Sequence, residues 1–195
     1  MIGLTGSIGM GKTETAKLFA EQGVPVHDAD AAIHRLYARG GAGVAKIAAV
    51  FPGAVKDGAV DRGALSALVT GDPQKIARLE SLMHPLVVAD QAQFLRETKA
   101  DIVLLDIPLL FESGADKNLD VIVVASAPSE IQRARVLARP GMTEEKFSAL
   151  HTRQMPDAQK RAQAHYVVMT DKGLDHAREQ VKMILADVRE KIANA

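Results

Sequence analysis

The chain is predicted to fold as a three-layer α/β structure around a parallel five-stranded sheet, and three observations predict it. Short apolar, β-prone runs alternate with longer helical patterns along the 195 residues, the order that builds a doubly wound sheet. Two of the runs, Ile102-Val103-Leu104-Leu105 and Val121-Ile122-Val123-Val124, are continuous rather than alternating, as strands covered on both faces by helices require. The first run passes directly into a glycine-rich turn and then into a helical pattern.

Strands are expected at 1–5, 23–27, 101–106, 120–125 and 166–169, with helices at 12–22, 128–138 and 174–193. In the last helix Val181, Ile184, Leu185, Val188 and Ile192 recur at helical spacing, which makes a core-facing stripe. Two stretches break the alternation. Residues 31–99 carry helical patterns and turns at Gly40-Gly41, Pro52-Gly53, Asp57-Gly58 and Gly71-Asp72-Pro73, but no convincing buried strand. They are too long for a plain crossover and read as a helical insertion. Residues 139–164 open with Arg139-Pro140-Gly141, and Thr143 is placed to cap a helix with Glu144 and Glu145 in its first turn. The expected division is a core of 1–30, 100–138 and 165–195, a helical insertion of 31–99, and a lid of 139–164.

Composition narrows the function. Lys+Arg and Asp+Glu are 24 each, so a broad nucleic-acid or membrane surface is not expected. Aromatics are 4% with no tryptophan, which argues against base-stacking platforms for single strands. Absence of cysteine removes disulfides, Cys zinc sites and Cys nucleophiles. The first residues enter a strand with no basic stretch, long apolar region or small-residue cleavage site, and no apolar window is long enough to span a membrane. A cytoplasmic protein is expected.

Gly6-Ser7-Ile8-Gly9-Met10-Gly11-Lys12-Thr13 fits the pattern Gly-x-x-x-x-Gly-Lys-Ser/Thr completely. A chance match in a chain of this length is expected on the order of one per cent of the time. The position between a strand and a helix is the one the pattern demands. Glycines let the backbone close around an anion, and successive N–H groups with the helix start then face its phosphates. Lys12 brings positive charge to the β- and γ-phosphates of ATP, and Thr13 offers a hydroxyl to Mg2+. Gly6, Gly9, Met10, Gly11, Lys12, Thr13 and Glu14 form the expected nucleotide-binding set. An ordinary glycine-rich turn would have no need of Lys12-Thr13.

Such a loop serves GTPases, motor ATPases and kinases alike. No Asp is followed three residues later by Gly, and neither Asn118 nor Asn194 begins an Asn-Lys pair, so guanine recognition is not expected. Asp106 lacks the following Glu usual in motor ATPases. A small-molecule kinase needs an acceptor insertion and a lid that exclude water from transfer, and the two excursions supply both. Strand ends in such sheets face the ligand, so Asp28 and Asp30 are candidate bases for an acceptor hydroxyl, or else helix caps. Asp106 is placed to hold a water on Mg2+, or to form a turn before Pro108. Of the seven basic residues from Arg133 to Arg161, Arg139 and Arg153 are the expected phosphate clamps, and most of the seven are expected on a solvated helical face. His84-Pro85-Leu86 is expected to start a helix. A related kinase of nucleosides, nucleotides or sugar acids is the alternative enzyme, and an ATP-dependent switch the alternative outside enzymes.

Together these motifs resemble the dephospho-coenzyme A kinase family along nearly the whole chain. The likeness runs through 3–13, Val24-Pro25-Val26-His27-Asp28-Ala29-Asp30, Arg35, His84-Pro85-Leu86, Asp106-Ile107-Pro108-Leu109-Leu110-Phe111-Glu112, Arg139 and Arg153-Gln154. The resemblance implies transfer from ATP to the ribose 3′-hydroxyl of dephospho-CoA, giving CoA. It makes Asp30 the base, lines the acceptor site with His84, Arg35, Leu109 and Phe111, and implies a P-loop kinase fold. A monomer or weak homo-oligomer without nucleic-acid or membrane partners is expected. Two positions depart from the family's usual pattern: His165 replaces Asp after Ala164, and Thr170-Asp171 stands where Asn is usual.

Overall fold

A computed structural model describes residues 1–194. The chain divides into two compact units, Met1–Val26 with the segment from Ala100 onward, and His27–Lys99. The division falls at 26/27 rather than after 30, and 139–164 lies within the first unit.

The first unit holds β1 (Ile2–Thr5), α1 (Lys12–Glu21), β5 (Leu104–Asp106), β6 (Val121–Ser126), α6 (Ser129–Leu137), α7 (Glu144–His151), α8 (Asp157–Ala162), β7 (Tyr166–Met169) and α9 (Leu174–Ala193). β2 (Val26–Asp28) begins at the last residue of that unit's first segment, and the sheet order is β2-β5-β1-β6-β7. Leu4 of β1 stands level with Asp106 of β5 and with Val123 of β6, all parallel. Parallel pairing brings the carboxyl ends of β1 and β5 to one edge of the sheet. Ile2, Leu4, Leu104 and Val123 form a core with Phe19 of α1 and Val181, Leu185 and Val188 of α9. The apolar stripe of α9 is thus the face it buries, although Ile192 stays 49% exposed.

The second unit holds α2 (Ala29–Tyr37), α3 (Ala42–Val50), β3 (Val55–Lys56), β4 (Ala59–Val60), α4 (Arg62–Val69) and α5 (Pro73–Glu97). Its own core gathers Leu36, Ile47, Phe51, Leu65 and Met83. The Asp57-Gly58 turn joins β3 and β4 into an antiparallel hairpin that sequence reading did not foresee, since two-residue strands carry no period. The His84-Pro85-Leu86 segment does not start a helix. It lies inside α5, whose 25 residues run through Pro85 for about 37 Å. Asp72 caps that helix instead, accepting from Gln74 N and Lys75 N at 3.1 Å each. Packing of Leu79, Leu82, Met83, Leu86 and Val87 into the core outweighs the one backbone hydrogen bond that Pro85 removes. Among the described residues, no helix is long and apolar enough to cross a membrane.

Candidate active site

The glycine-rich loop is shaped by contacts on its outer side. Gly9 and Gly11 have φ of 79° and 88°, in the left-handed region. A Cβ would fall 2.5 Å from Val136 at Gly9 and 2.9 Å from Thr170 Oγ1 at Gly11, so both positions need glycine for conformation and for space. Gln132 Nε2 donates to Ile8 O at 2.8 Å, Thr170 Oγ1 to Met10 O at 2.9 Å, and Arg135 reaches Gly9 O at 3.5 Å. Arg135 also donates to Thr170 Oγ1 and to Thr170 O, at 2.9 and 2.7 Å. A trans peptide points its C=O and N–H to opposite sides, so tying off these carbonyls turns the Gly9 and Gly11 N–H groups the other way. No side chain caps α1, which leaves its first N–H groups for an anion. Thr13 and Glu14 are exposed on that first turn, with Glu14 2.7 Å from Lys17.

Lys12, next in the loop, points to Asp106. Its Nζ lies 2.6 Å from Asp106 Oδ1, with the two side chains only 14% and 4% exposed. The register of β1 against β5 makes this meeting possible, because both strands end at the same edge. The chain after Asp106 stays close to β1. Ile107 N donates to Leu4 O at 2.9 Å and Thr5 Oγ1 to Pro108 O at 3.2 Å. That loop carries Leu109, which is 46% exposed, and Phe111, which packs against Leu110, Ile122 and Val124.

Arg139 follows α6, and Arg153 lies between α7 and α8. Both side chains are exposed. Thr143 caps α7 as expected, accepting from Lys146 N at 3.3 Å. Beside Arg153, Gln154 Oε1 accepts the Ile8 N–H of the glycine-rich loop at 3.0 Å.

The remaining expected residues belong to the second unit. Asp28 is the N-cap of α2, and its Oδ1 accepts from Asp30 N at 2.8 Å and Ala31 N at 3.0 Å. Asp30 is exposed in the first turn of the same helix. Arg35 is engaged: its guanidinium lies 2.7 Å from Asp90 Oδ2. The same oxygen is 2.9 Å from Nε2 of His27, a side chain only 3% exposed. Burial pushes the Asp90 carboxyl up, but the Arg35 and His27 contacts outweigh it and hold it below its ordinary value. His84 is exposed on α5.

Asp90 and Gln132 escaped sequence reading, and Arg135, counted there among basic residues of a mostly solvated face, is instead tied to Thr170 and the glycine-rich loop. Their partners lie 35 to 124 positions away for Arg135 with Thr170, Asp90 with Arg35 and Gln132 with Ile8, so no local spacing signals them. The two departures from the family pattern have structural roles. His165 Nδ1 accepts from Ile122 N at 3.0 Å while its own N–H donates to Ile122 O at 2.9 Å, which extends the pairing of β7 with β6. Thr170 is the hydroxyl that supports the glycine-rich loop.

Comparison with known proteins identifies the family. The family model for dephospho-CoA kinase matches residues 1–176. A dephospho-CoA kinase from Cereibacter sphaeroides is 56% identical over 189 residues, covering 97% of this chain and 95% of the relative. A crystal structure from Thermus thermophilus superposes with a TM-score of 0.83 at 38% identity, covering 95% of this chain and 96% of that one. A dephospho-CoA kinase structure from Campylobacter jejuni gives 0.68 at 19% identity over 96% of both chains, which supports the fold alone. With the family model matching most of the chain and a relative at 56% identity, the chain belongs to the dephospho-CoA kinase family.

Proposed function

We propose that Lys12, Asp30 and Arg139 carry out the transfer of the ATP γ-phosphoryl group to the ribose 3′-hydroxyl of dephospho-CoA. The observation that carries this reading is the Lys12–Asp106 pair at the start of α1, 2.6 Å apart, beside loop N–H groups turned away from their tied carbonyls. The N–H groups and Lys12 bind the phosphates and offset the charge spread over the γ-phosphoryl oxygens. Asp30 accepts the proton of the attacking hydroxyl; its support is that Asp28 is already committed to capping α2. Arg139 and Arg153 are the clamps of the lid, 139–164, and Arg139 closes on the transferring group. The acceptor-binding residues of this reading are Arg35 and His84 of the second unit, 27–99, and Leu109 and Phe111 of the loop after Asp106.

Thr13 and Asp106 would hold Mg2+. A hydroxyl and a carboxylate are the hard oxygen donors this ion takes when it keeps several waters and shares the phosphates, and among the described residues no group of three or more His, Asp or Glu forms a separate cage. When bound there, the ion would supply positive charge against the phosphate oxygens. The proposal includes action in the cytoplasm as a monomer or weak homo-oligomer, supported by two polar, diffusible substrates. The test is turnover with ATP and dephospho-CoA, with and without EDTA, in the wild type and in Asp30→Asn. Turnover that ignores EDTA would remove the metal reading, and an undiminished Asp30→Asn the base.

A further inference from the structure

Glu112 ends the loop that follows Asp106, and its carboxylate anchors the returning limb of the lid. Its Oε1 accepts the Met155 N–H at 2.8 Å and lies 2.8 Å from the Lys160 ammonium. The Lys160 side chain is 0% exposed and the Glu112 side chain 18%. A fully buried ammonium is tolerated only opposite an anion. Burial pushes the Glu112 carboxyl up, but the Lys160 contact and the Met155 N–H outweigh it and hold the carboxyl below its ordinary value.

What Glu112 joins gives the contact its meaning. Met155 directly follows Gln154, whose side chain holds the Ile8 N–H of the phosphate loop. Arg153 precedes both. On the other side, Glu112 directly follows Phe111 in the loop that also carries Leu109. One carboxylate therefore ties that loop to the limb that touches the phosphate loop. We infer that Glu112 is a positioning residue for phosphoryl transfer: it fixes the returning limb of the lid so that Gln154 stays on Ile8 and Arg153 stays beside it. Lys160 balances the carboxylate. The inference rests on the reading of the phosphate loop as the transfer centre.

Glu112→Ala alone would leave the Lys160 ammonium buried without an anion, and the lid could simply unfold. Two double variants avoid this. Glu112→Ala/Lys160→Met removes both charges and the acceptor for Met155 N–H. Glu112→Gln/Lys160→Met removes both charges but keeps an acceptor oxygen. Thermal unfolding, kcat, and KM for ATP and dephospho-CoA are measured for both beside the wild type. The Ala double variant is expected to lose kcat about tenfold or more, with KM for ATP within about twofold, because misplacement acts on the transfer step. The Gln double variant is expected to recover kcat to within about threefold of wild type. An Ala double variant with wild-type kcat would overturn the inference, as would a folded Gln double variant as slow as the Ala one. A wild type that transfers nothing to dephospho-CoA would sink the functional reading and this inference together. An active wild type with an unimpaired Ala double variant would sink this inference alone.

Discussion

Lys12 and Asp106 lie 2.6 Å apart and are largely covered, and the proposed mechanism gives each a second task once ATP arrives. In that proposal the ammonium would offset phosphate charge, and the carboxylate would face Mg2+. Lys12→Ala is therefore expected to cost about 10²–10³ in kcat, the usual loss when one fixed charge-stabilising donor is removed. Steady-state kinetics on protein shown to be folded by circular dichroism checks this; near-normal turnover would remove Lys12 from the mechanism. Asp28 and Asp30 sit two residues apart with separable roles. Asp28→Ala removes a helix cap and is expected to cost about 1 kcal/mol of stability. Asp30→Asn is expected to leave the melting temperature unchanged and to cost roughly 10²–10⁴ in turnover. If the stability and turnover losses fall on the opposite residues, Asp28 is the base.

Between elements, long-range polar pairs do the fixing. The Asp90 carboxylate of α5 holds Arg35 of α2 and His27 of β2. Its folded pKa is lowered, so the stability it contributes is fully present above the unfolded carboxylate value of about 4 and is lost as pH falls through the folded one. Thermal unfolding of the wild type is expected to weaken steeply on that acid side, and Asp90→Asn is expected to flatten the slope. An unchanged acid limb would mean that Asp90 contributes nothing to it. After α6, the Arg139 side chain is exposed, so its contribution is expected when the proposed lid closes. Arg139→Lys keeps the charge but loses the planar fork, and kcat is expected to fall more than ATP affinity. Equal weakening of ATP binding with unchanged kcat would show uniform binding instead.

These same pairs mark the limit of what the sequence discloses. The continuous apolar runs at 102–105 and 121–124 announced buried parallel strands because a strand covered on both faces has no polar side to show. The phosphate loop was legible because its chemistry is contiguous, from Gly6 to Thr13. Asp90, Gln132, Arg135 and the partners of Glu112 are distant in sequence and close only after folding. Pro85 misled for a different reason: proline reads as a helix start, while core packing along α5 carries the helix through it.

At the scale of the whole molecule, the second unit has its own core and is far larger than an acceptor hydroxyl alone requires. Dephospho-CoA offers a pantetheine arm and a diphosphate beyond that hydroxyl, and binding of remote parts can orient the reacting group. The central claim is therefore tested by offering dephospho-CoA, adenosine and AMP side by side at fixed ATP and Mg2+, with kcat/KM measured and each product identified by mass. The account predicts that dephospho-CoA gains one phosphoryl group efficiently, and that adenosine is a very poor acceptor although it carries the same 3′-hydroxyl. Phosphorylation of adenosine or AMP as efficient as that of dephospho-CoA would contradict it.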